Sequence, residues 1–198
     1  MISCVLLSAG NNQRFGSPKA LAIFNERPLI AHIQDTLIRS KVAEIIIVLG
    51  ASCDEIQRHV LKHPKIKAVF NQDYSLGQTS SFKSGVKKIS SLSSGIILLP
   101  VDCPFLKSET IDLLIGSFLF HRPQILIPTY SNLKGHPPIF NTNLKTELLA
   151  LENSVGVNCI AQKISTGVML LPVNDSAVIS TFNTPEEFEK IKTQFPTT

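Results

Sequence analysis

The 198-residue chain is predicted to adopt an α/β fold, Rossmann-like, with three α/β/α layers around a mostly parallel sheet. Three observations predict this fold. Four short runs are predicted as strands, and most of them are apolar at successive positions, as in strands that are buried on both faces. Each of these runs is followed by a segment that has either the apolar spacing of a helix or residues typical of a helix start. Beyond Phe120 the regular alternation stops, which predicts a mixed C-terminal part of the sheet.

The first four strand and helix units are predicted in chain order. The strands are expected over residues 2–7, 44–50, 66–70 and 95–101. The helices are expected over residues 29–40, 54–62 and 79–89, and from a Ser108 cap to about Phe120. Crossovers between parallel strands should be right-handed.

The C-terminal part is predicted to be less regular. Strands are expected over residues 124–130, 138–140 and 167–173, with a short one at 178–180, and helices over 144–151 and 155–163. Thr184-Pro185-Glu186-Glu187 has the form of a capping box with proline at the first helical position, and predicts a last helix to about Gln194. Since there is no repeat, low-complexity tract or linker, residues 1–198 are expected to form one domain.

Composition narrows the class of function. A hydrophobic content of 43% and a charged content of 17% are typical of a globular chain. The net charge of +4, without a long Lys/Arg block, suits a small anionic substrate and predicts no nucleic-acid partner. No apolar stretch is long enough to span a membrane, so no membrane partner is expected. The four cysteines form no Cys-x-x-Cys motif and no secretory signal precedes the first strand, which predicts a cytoplasmic location.

The loop after the first strand, from Leu7 to Lys19, has features of a phosphate-binding turn. Gly10 and Gly16 allow tight turning and a close approach of the backbone to a ligand. Free N–H groups in such a turn form an anion site, and Arg14 and Lys19 add positive charge for phosphate oxygens. The spacing matches neither a Walker A loop nor Gly-x-Gly-x-x-Gly. A plain βα turn with two solvated cations is the alternative interpretation.

Two more segments fall where strands end or helices begin, the positions at which open parallel sheets bind ligands. Asp102 follows the fourth strand directly, and its carboxylate could hold Mg²⁺ or only cap the turn before Pro104. Thr79, Ser80 and Ser81 place small hydroxyl groups at a helix start, where they can bind a base or sugar. Plain N-capping would account for one of these three residues.

These motifs together resemble those of the MobA-like nucleotidyltransferase family. The first loop resembles Leu-Ala-Ala/Gly-Gly-x-Ser-x-Arg-Met-Gly-x-x-Lys, and departs from it at Ser8, Asn12 and Phe15. It matches in register at Leu7, Ala9, Gly10, Arg14, Gly16 and Lys19. Residues 71–85 resemble Asn-Pro-x-aromatic-x-x-Gly-Met-x-x-Ser-Leu-x-x-Gly, which includes Gly77 and Ser81, with Gln78 in place of Met.

The resemblance extends to later segments. Asp102-Cys103-Pro104 matches an Asp-x-Pro whose aspartate holds the metal in the family, and residues 180–187 place Asn183 at a second oxygen ligand. Residues 134–140 resemble the Gly-His-Pro segment of the cytidylyl-type branch, which implies an acceptor pocket at His136 and Pro137. Ser154 lies where the family has the aspartate of Gly-Asp-x-Gly-Ala-Arg, so the acceptor contacts differ there.

The resemblance implies a nucleotide-diphospho-sugar transferase-like fold and a single nucleotidyltransferase domain. The implied reaction is Mg²⁺-dependent transfer of a nucleoside monophosphate from an NTP to a phosphate acceptor such as molybdopterin, with release of pyrophosphate. Ala9-Gly10 and the Gly-His-Pro segment favour the molybdenum cofactor cytidylyltransferase-like branch, with CTP as the substrate. Small molecules are the implied substrates, and a molybdoenzyme or its chaperone is an implied partner.

Residue roles also follow from the resemblance. It implies catalytic roles for Arg14, Lys19 and Asp102, and metal coordination by Asp102 and Asn183. It implies nucleotide contacts at Leu7, Ala9, Gly10, Gly16, Gly77, Ser80 and Ser81, and an acceptor pocket at His136, Pro137 and Ser154. Guanylyl transfer, a sugar- or polyol-phosphate acceptor and a non-catalytic nucleotide-binding regulator stay open as alternatives.

Overall fold

The computed structural model describes residues 1–10, 14–164 and 166–195. The strands are β1 (Ile2–Ser8), β2 (Ile23–Phe24), β3 (Arg27–Pro28), β4 (Glu44–Leu49), β5 (Ile66–Phe70), β6 (Gly95–Pro100), β7 (Ile125–Tyr130), β8 (Leu133–Lys134), β9 (Ile139–Asn141) and β10 (Val168–Pro172). The α-helices are α1 (Leu29–Arg39), α2 (Cys53–Gln57), α3 (Gln78–Val86), α4 (Ser108–His121), α5 (Lys145–Ala150), α6 (Cys159–Lys163) and α7 (Pro185–Gln194).

The main sheet has the strand order β10-β7-β9-β6-β1-β4-β5, with β8 paired to β7. β1 is central and parallel to both β4 and β6, so that Cys4 lies opposite Ile45 on one side and Ile97 on the other. β9 runs antiparallel to both β6 and β7, whereas β10 is parallel to β7. The prediction of a mostly parallel sheet with a mixed C-terminal part is confirmed.

Helices cover both faces of the sheet. Cys4 and Leu6 of β1 pack in one core with residues of α1, α2 and α4. Val5 and Leu7, which point the other way, pack in a second core with α3, α5 and α6. Because each face of the central strands is covered by a helix layer, β1, β4 and β6 are buried at every position and mostly apolar. The three-layer prediction is confirmed.

Several predicted boundaries are wrong. α2 ends at Gln57 instead of residue 62, and Ile56 is its single buried residue. α3 covers Gln78–Val86 instead of 79–89, and α6 begins at Cys159 instead of residue 155. The segment before α6 is held by Thr79, whose Oγ1 donates to the Val155 carbonyl at 2.6 Å.

Two local predictions near α4 and β10 are also wrong. Lys107 is the cap of α4, and Ser108 is its first helical residue, with an Oγ that donates to Glu109 instead of capping. The strand predicted at 178–180 is absent from the described chain, which has a 3-10 turn at Ser176–Ile179. The Asp175 carboxylate accepts from the Ala177 N–H at 3.1 Å, and this cap favours a helical turn.

The last helix begins as predicted. Thr184 caps α7 by accepting from the Glu187 N–H at 3.3 Å, and the Glu187 carboxylate accepts from the Asn183 N–H at 2.6 Å. Phe188 of α7 packs with Leu29 and Phe182, both fully buried. This packing fixes the residues before α7 against the start of α1.

The strand order determines where a ligand can bind. The chain proceeds from β1 to β4 and β5 on one side, and returns to place β6 on the other side of β1. The loops that follow β1 and β6 therefore separate at the carboxyl edge of the sheet and leave a crevice. Within the described ranges, no helix combines the length and the apolar character needed to cross a bilayer.

Candidate active site

A cavity of about 640 Å³ opens at this crevice, between the carboxyl ends of β1 and β6. Its walls are the loop after β1, the start of α3, the end of β6 and the residue before Thr184. Nine of the residues predicted to form the site line it: Leu7, Ala9, Gly10, Arg14, Lys19, Gly77, Ser81, Asp102 and Asn183. Segments that are far apart in the sequence thus meet at one cavity.

Lys19 lies at the centre of the charged end of this cavity. Its Nζ donates to the Phe182 carbonyl at 2.6 Å, to Asp102 Oδ2 at 3.1 Å and to Asn183 Oδ1 at 3.2 Å. An ammonium group has three N–H bonds, so three protein oxygens account for all of them. The Lys19 side chain is 11% exposed, and the 3-10 turn at Lys19–Leu21 places it there.

Arg14 approaches the same amide from the open side of the cavity. Its Nη2 donates to Asn183 Oδ1 at 3.2 Å, so one amide oxygen accepts from both cations. Among the residues that the structure describes, Asn183 is the one acceptor paired with the exposed guanidinium. Since a guanidinium has five N–H bonds, Arg14 keeps donors for an anion in the cavity.

Aromatic packing holds the cationic loop against the C-terminal segment. The Phe15 ring centroid lies 5.4 Å from that of Phe182 and 6.0 Å from that of Phe188. Phe182 is fully buried, and its ring also lies 5.2 Å from Lys19 Nζ. Ring pairs at these separations are attractive beyond their buried area. Phe15 therefore fixes the part of the loop that presents Arg14 and Lys19.

The opposite wall is uncharged and is shaped by the turn before α3. Gly77 has a φ of +99°, a conformation that favours glycine. Asn71 Nδ2 donates to Ser80 Oγ at 3.0 Å and to Ser81 Oγ at 3.2 Å, and Ser80 Oγ donates to the Asp73 carbonyl at 2.8 Å. Ser81 lines the cavity, whereas Ser80 lies behind it and holds the turn together.

Four other predicted site residues also lie outside the cavity lining: Gly16, His136, Pro137 and Ser154. Gly16, with a φ of +78°, shapes the turn of the first loop. Ser154 is exposed in a segment held by Lys83, whose Nζ donates to the Leu151 carbonyl at 2.7 Å. Asn12, a departure from the family pattern, lies outside the described residues.

His136 is mostly buried beside the charged end of the site. Its N–H donates to the Val178 carbonyl at 2.7 Å, and its peptide bond to Pro137 is cis. A Cβ on Gly135 would lie 2.3 Å from the Val178 carbonyl oxygen, so glycine permits this close approach. Burial lowers the pKa of His136 below its ordinary 6.5, and the nearby Asp102 charge partly opposes this shift. Within the described chain, its buried Nδ1 has no hydrogen-bond partner.

Six residues line the cavity that were not predicted as site residues: Phe15, Tyr74, Ser75, Gln78, Pro100 and Val101. For several of them, the sequence signal was that they are adjacent to a predicted site residue. Pro100 and Val101 directly precede Asp102, and Gln78 directly follows Gly77. Phe15 could be recognised only once its packing on Phe182 was known, because an aromatic residue in a loop has many possible partners.

The donors of Asp102 and Asn183 suit a hard divalent ion. Mg²⁺ binds carboxylate and amide oxygens, and usually takes only one or two protein ligands beside water and phosphate oxygens. Both side chains already accept from one cation, the Lys19 ammonium, which shows that they converge on a shared point. Nowhere in the described residues do three or more His, Cys, Asp or Glu side chains form a possible metal cluster. The donor set therefore fits Mg²⁺ bound together with phosphates.

Cys103 leaves one Asp102 oxygen only weakly engaged. Its Sγ lies 3.8 Å from Asp102 Oδ1, a distance at which a thiol is a weak donor. Burial, together with the Asp102 charge, raises the pKa of this thiol well above its ordinary value. Cys103 therefore stays protonated, and Asp102 Oδ1 is the least engaged carboxylate oxygen at the charged end.

Comparison with known proteins agrees with this architecture. The chain is 27% identical over 200 residues to a Paenarthrobacter nicotinovorans protein named Nicotine blue oxidoreductase, covering 96% of each. It is 29% identical over 174 residues to a "Probable molybdenum cofactor guanylyltransferase" of Bacillus mycoides, covering 86% of this chain and 80% of that protein. It also matches bifunctional proteins named GlmU, of which it spans 24% to 38%.

A solved structure and a family model complete the comparison. The structure of Rv0371C from Mycobacterium tuberculosis H37Rv in complex with manganese superposes with a TM-score of 0.77 at 20% identity, over 97% of this chain and 98% of that one. This likeness supports the fold. Residues 4–167 match the model of the MobA-like NTP transferase domain. The chain therefore belongs to the MobA-like NTP transferase family.

Proposed function

We propose that residues 1–198 act as one domain that transfers a nucleoside monophosphate from an NTP to a phosphate acceptor, with Mg²⁺ and with release of pyrophosphate. The observation that carries this proposal is the convergence of Lys19, Arg14, Asp102 and Asn183 at one end of the cavity. Two cations and two oxygen donors suit a triphosphate with its divalent ion. The uncharged wall at Gly77 and Ser81 suits the base and ribose.

The reaction needs orientation more than it needs a general base. The acceptor phosphate is already an anion, so its oxygen attacks the α-phosphorus directly. The new oxygen–phosphorus bond forms as the bond to the β-phosphate oxygen breaks, and the electron pair leaves on pyrophosphate. Arg14 and Lys19 hold phosphate oxygens and stabilise the charge that develops on the leaving group. Mg²⁺, when bound at Asp102 and Asn183, supplies further neutralisation of phosphate charge.

The nucleotide contacts are assigned to the walls beyond the charged end. Leu7, Ala9 and Gly10 follow the central strand and border the cavity with Gly77 and Ser81. Backbone groups of a turn and the Ser81 hydroxyl can read a base or a ribose. Gly16 and Ser80 support this surface from behind, through the turn of the first loop and the Asn71 network.

The acceptor side is assigned to His136, Pro137 and Ser154, which lie outside the cavity lining. The unpartnered Nδ1 of His136 supports this assignment, because a buried polar atom without a partner is costly unless a ligand can use it. Molybdopterin is the proposed acceptor, and a molybdoenzyme or its chaperone would receive the product. CTP is the proposed nucleotide, although the relative from Bacillus mycoides is named as a probable guanylyltransferase.

A second candidate is an oxidoreductase that uses the same cavity for a nucleotide cofactor. The match to a protein named Nicotine blue oxidoreductase over 96% of both chains favours it. If its cofactor is a reduced nicotinamide nucleotide, such an enzyme would oxidise that nucleotide and would release no pyrophosphate. The two candidates therefore differ in a product that can be measured directly.

The deciding experiment measures pyrophosphate release with each of four NTPs, Mg²⁺ and candidate phosphate acceptors, and separately the oxidation of NADPH. We expect release that requires both NTP and acceptor, with CTP preferred, and no release by Asp102→Asn. Preferred turnover of GTP would place the protein in the guanylyl branch. NTP binding without turnover would favour the regulatory alternative, and NADPH oxidation without NTP turnover would favour the redox candidate.

A further inference from the structure

We infer that Lys19 is the resident cation of the divalent-metal site: in the nucleotide-free protein its ammonium occupies the position between Asp102 and Asn183, and it competes there with the metal ion. This inference rests on the proposed function, because it takes these two side chains as the metal ligands. Beyond that function, we infer that metal binding and nucleotide binding depend on each other through Lys19.

The contacts of Lys19 place its ammonium group between the proposed metal ligands. Its Nζ lies 3.1 Å from Asp102 Oδ2 and 3.2 Å from Asn183 Oδ1, so it occupies the point on which the two proposed metal ligands converge. The third bond, 2.6 Å to the Phe182 carbonyl, keeps the ammonium in this position. With 11% of the side chain exposed, Lys19 is held by packing as well as by these bonds.

The Lys19 ammonium and a divalent metal ion are both positively charged. A divalent ion bound between Asp102 and Asn183 would lie in contact with the positively charged ammonium of Lys19. Such ions repel strongly at contact distance, so Lys19 has to leave Asp102 and Asn183 before the metal can bind both. The phosphate oxygens of a bound nucleotide are new acceptors for the displaced ammonium.

Thermodynamic coupling follows from these two steps. Metal alone must displace Lys19 without a new partner, whereas metal with an NTP provides that partner. Each ligand therefore raises the affinity for the other, and the coupling is reciprocal. Without nucleotide, we expect the wild-type protein to bind a divalent ion weakly.

The experiment titrates nucleotide-free protein with Mn²⁺ and follows free Mn²⁺ by electron paramagnetic resonance. Lys19→Met removes the competing charge, and should bind Mn²⁺ about tenfold more tightly than the wild type, since charges of +1 and +2 about 6 Å apart in water repel by roughly this amount. Lys19→Gln removes the charge but keeps N–H donors for Phe182 and Asp102. It serves as the second variant if the methionine variant does not fold, and the same gain is expected.

Two controls separate competition from general effects. Lys67→Met removes one positive charge from a lysine–carboxylate pair with Glu44 at 2.7 Å, outside the cavity, and should leave Mn²⁺ affinity at the wild-type value. The double variant Lys19→Met with Asp102→Asn should lose the gain, because the added affinity depends on the Asp102 carboxylate.

Unchanged or weaker Mn²⁺ binding in folded Lys19→Met or Lys19→Gln overturns the inference, as does a gain that survives in the double variant. A gain in both variants that is abolished by Asp102→Asn supports it. The proposed function is tested separately by pyrophosphate release. If the wild type releases none while Lys19→Met gains Mn²⁺ affinity, the transferase proposal falls and the competition stands.

Discussion

Two lysine–carboxylate pairs lie at opposite edges of the same sheet. Lys67 and Glu44 pair at 2.7 Å near the amino end of β4, and Lys19 and Asp102 pair at 3.1 Å beyond the carboxyl end of β6. The residue chemistry is the same in the two pairs. What differs is how many of the carboxylate oxygens the protein itself satisfies.

Glu44 is engaged on both oxygens. Oε2 accepts from the Ser3 hydroxyl at 2.9 Å and from the Ser90 N–H at 2.8 Å, and Oε1 accepts from Lys67. Burial would by itself raise the pKa of Glu44, but the hydrogen bonds from Lys67, Ser90 and Ser3 outweigh burial and lower it. A buried carboxylate with this many donors ties the start of β4 to β1 and to the loop before β6.

Asp102 is engaged strongly on one oxygen only. Oδ2 accepts from Lys19, Oδ1 has the weak thiol contact with Cys103, and 24% of the side chain is exposed toward the cavity. A carboxylate with spare acceptor capacity beside a cavity can take a ligand. We therefore propose that the amino-edge pair, Lys67 and Glu44, serves stability, and that the carboxyl-edge pair, Lys19 and Asp102, serves binding.

The largest expected effect tests the carboxyl-edge pair. Asp102→Asn keeps the shape but removes the charge that would hold the metal, so kcat should fall about 10²–10³-fold or more. The free energy of unfolding without ligand should stay within about 1 kcal/mol of wild type, because this ion pair is partly open to water, with 24% of the Asp102 side chain exposed. Steady-state kinetics and urea unfolding of the same preparations measure both.

If Asp102→Asn lowers the free energy of unfolding by more than about 2 kcal/mol, the Asp102 carboxylate is a structural partner like Glu44, and the two pairs do not differ in role. Glu44→Gln is the matched control at the other edge. It should leave kcat per folded molecule unchanged.

Glu44→Gln should produce the second effect, on stability. The free energy of unfolding should fall by about 1–3 kcal/mol near neutral pH, since the substitution replaces a buried charged acceptor of three hydrogen bonds. Because folding lowers the pKa of Glu44 below its ordinary 4.5, its contribution is present above that pH and is lost as pH falls through the lowered value.

Urea unfolding of wild type and Glu44→Gln at neutral pH and in the acid limb measures this difference. We expect the two curves to converge in acid, where the wild-type side chain is protonated and neutral. A difference that persists unchanged below the lowered pKa would show that packing, instead of charge, separates the two proteins.

Asn183→Ala should have a smaller effect, because a neutral amide is a poorer metal ligand than a carboxylate. Turnover should fall about tenfold, and the double variant with Asp102→Asn should lose less than the product of the two single losses, since both residues would serve one ion. Asn183→Asp, which keeps an oxygen ligand, is the control that should retain more activity than Asn183→Ala. Independent, multiplicative losses would count against a shared metal.

The smallest effect concerns His136 and acid stability. Burial lowers its pKa below 6.5, so between its lowered pKa and 6.5 the unfolded chain binds more protons than the folded one. Stability should therefore decline as pH falls through this window, by at most about 1.4 kcal/mol per pH unit. His136→Gln should flatten the decline, and His121→Gln, an exchange of an exposed histidine, is the control for this comparison.

Much of the fold could be predicted from the sequence because the central strands are buried on both faces. The strands predicted at 2–7, 44–50 and 95–101 differ by one residue from β1, β4 and β6, which are buried throughout. The strand predicted at 66–70 has the bounds of β5, a partly exposed edge strand. Burial on two faces imposes a strong apolar pattern. Short helices with one buried residue, such as α2, impose a weak one, and their bounds were wrong.

The site was predictable to the extent that it follows strand ends. Ala9, Gly10 and Asp102 lie within two residues of the ends of buried strands, and the parallel arrangement brings such residues to one edge. Ser80 shows the limit of this reasoning. Its hydroxyl lies in the predicted helix start, but the Asn71 side chain and the Asp73 carbonyl turn it away from the cavity and into the loop.

The sequence by itself therefore determined the three-layer sheet and the edge at which charged residues gather, because both depend on local patterns of burial. Only the tertiary structure decided the partners of those charges. Lys19 bonds Asn183 across 164 positions and Asp102 across 83, and a long flexible side chain has no local pattern that records such contacts. They exist because the Phe182 and Phe188 cluster docks the C-terminal segment onto the first loop, and that docking places the ammonium between the two oxygens.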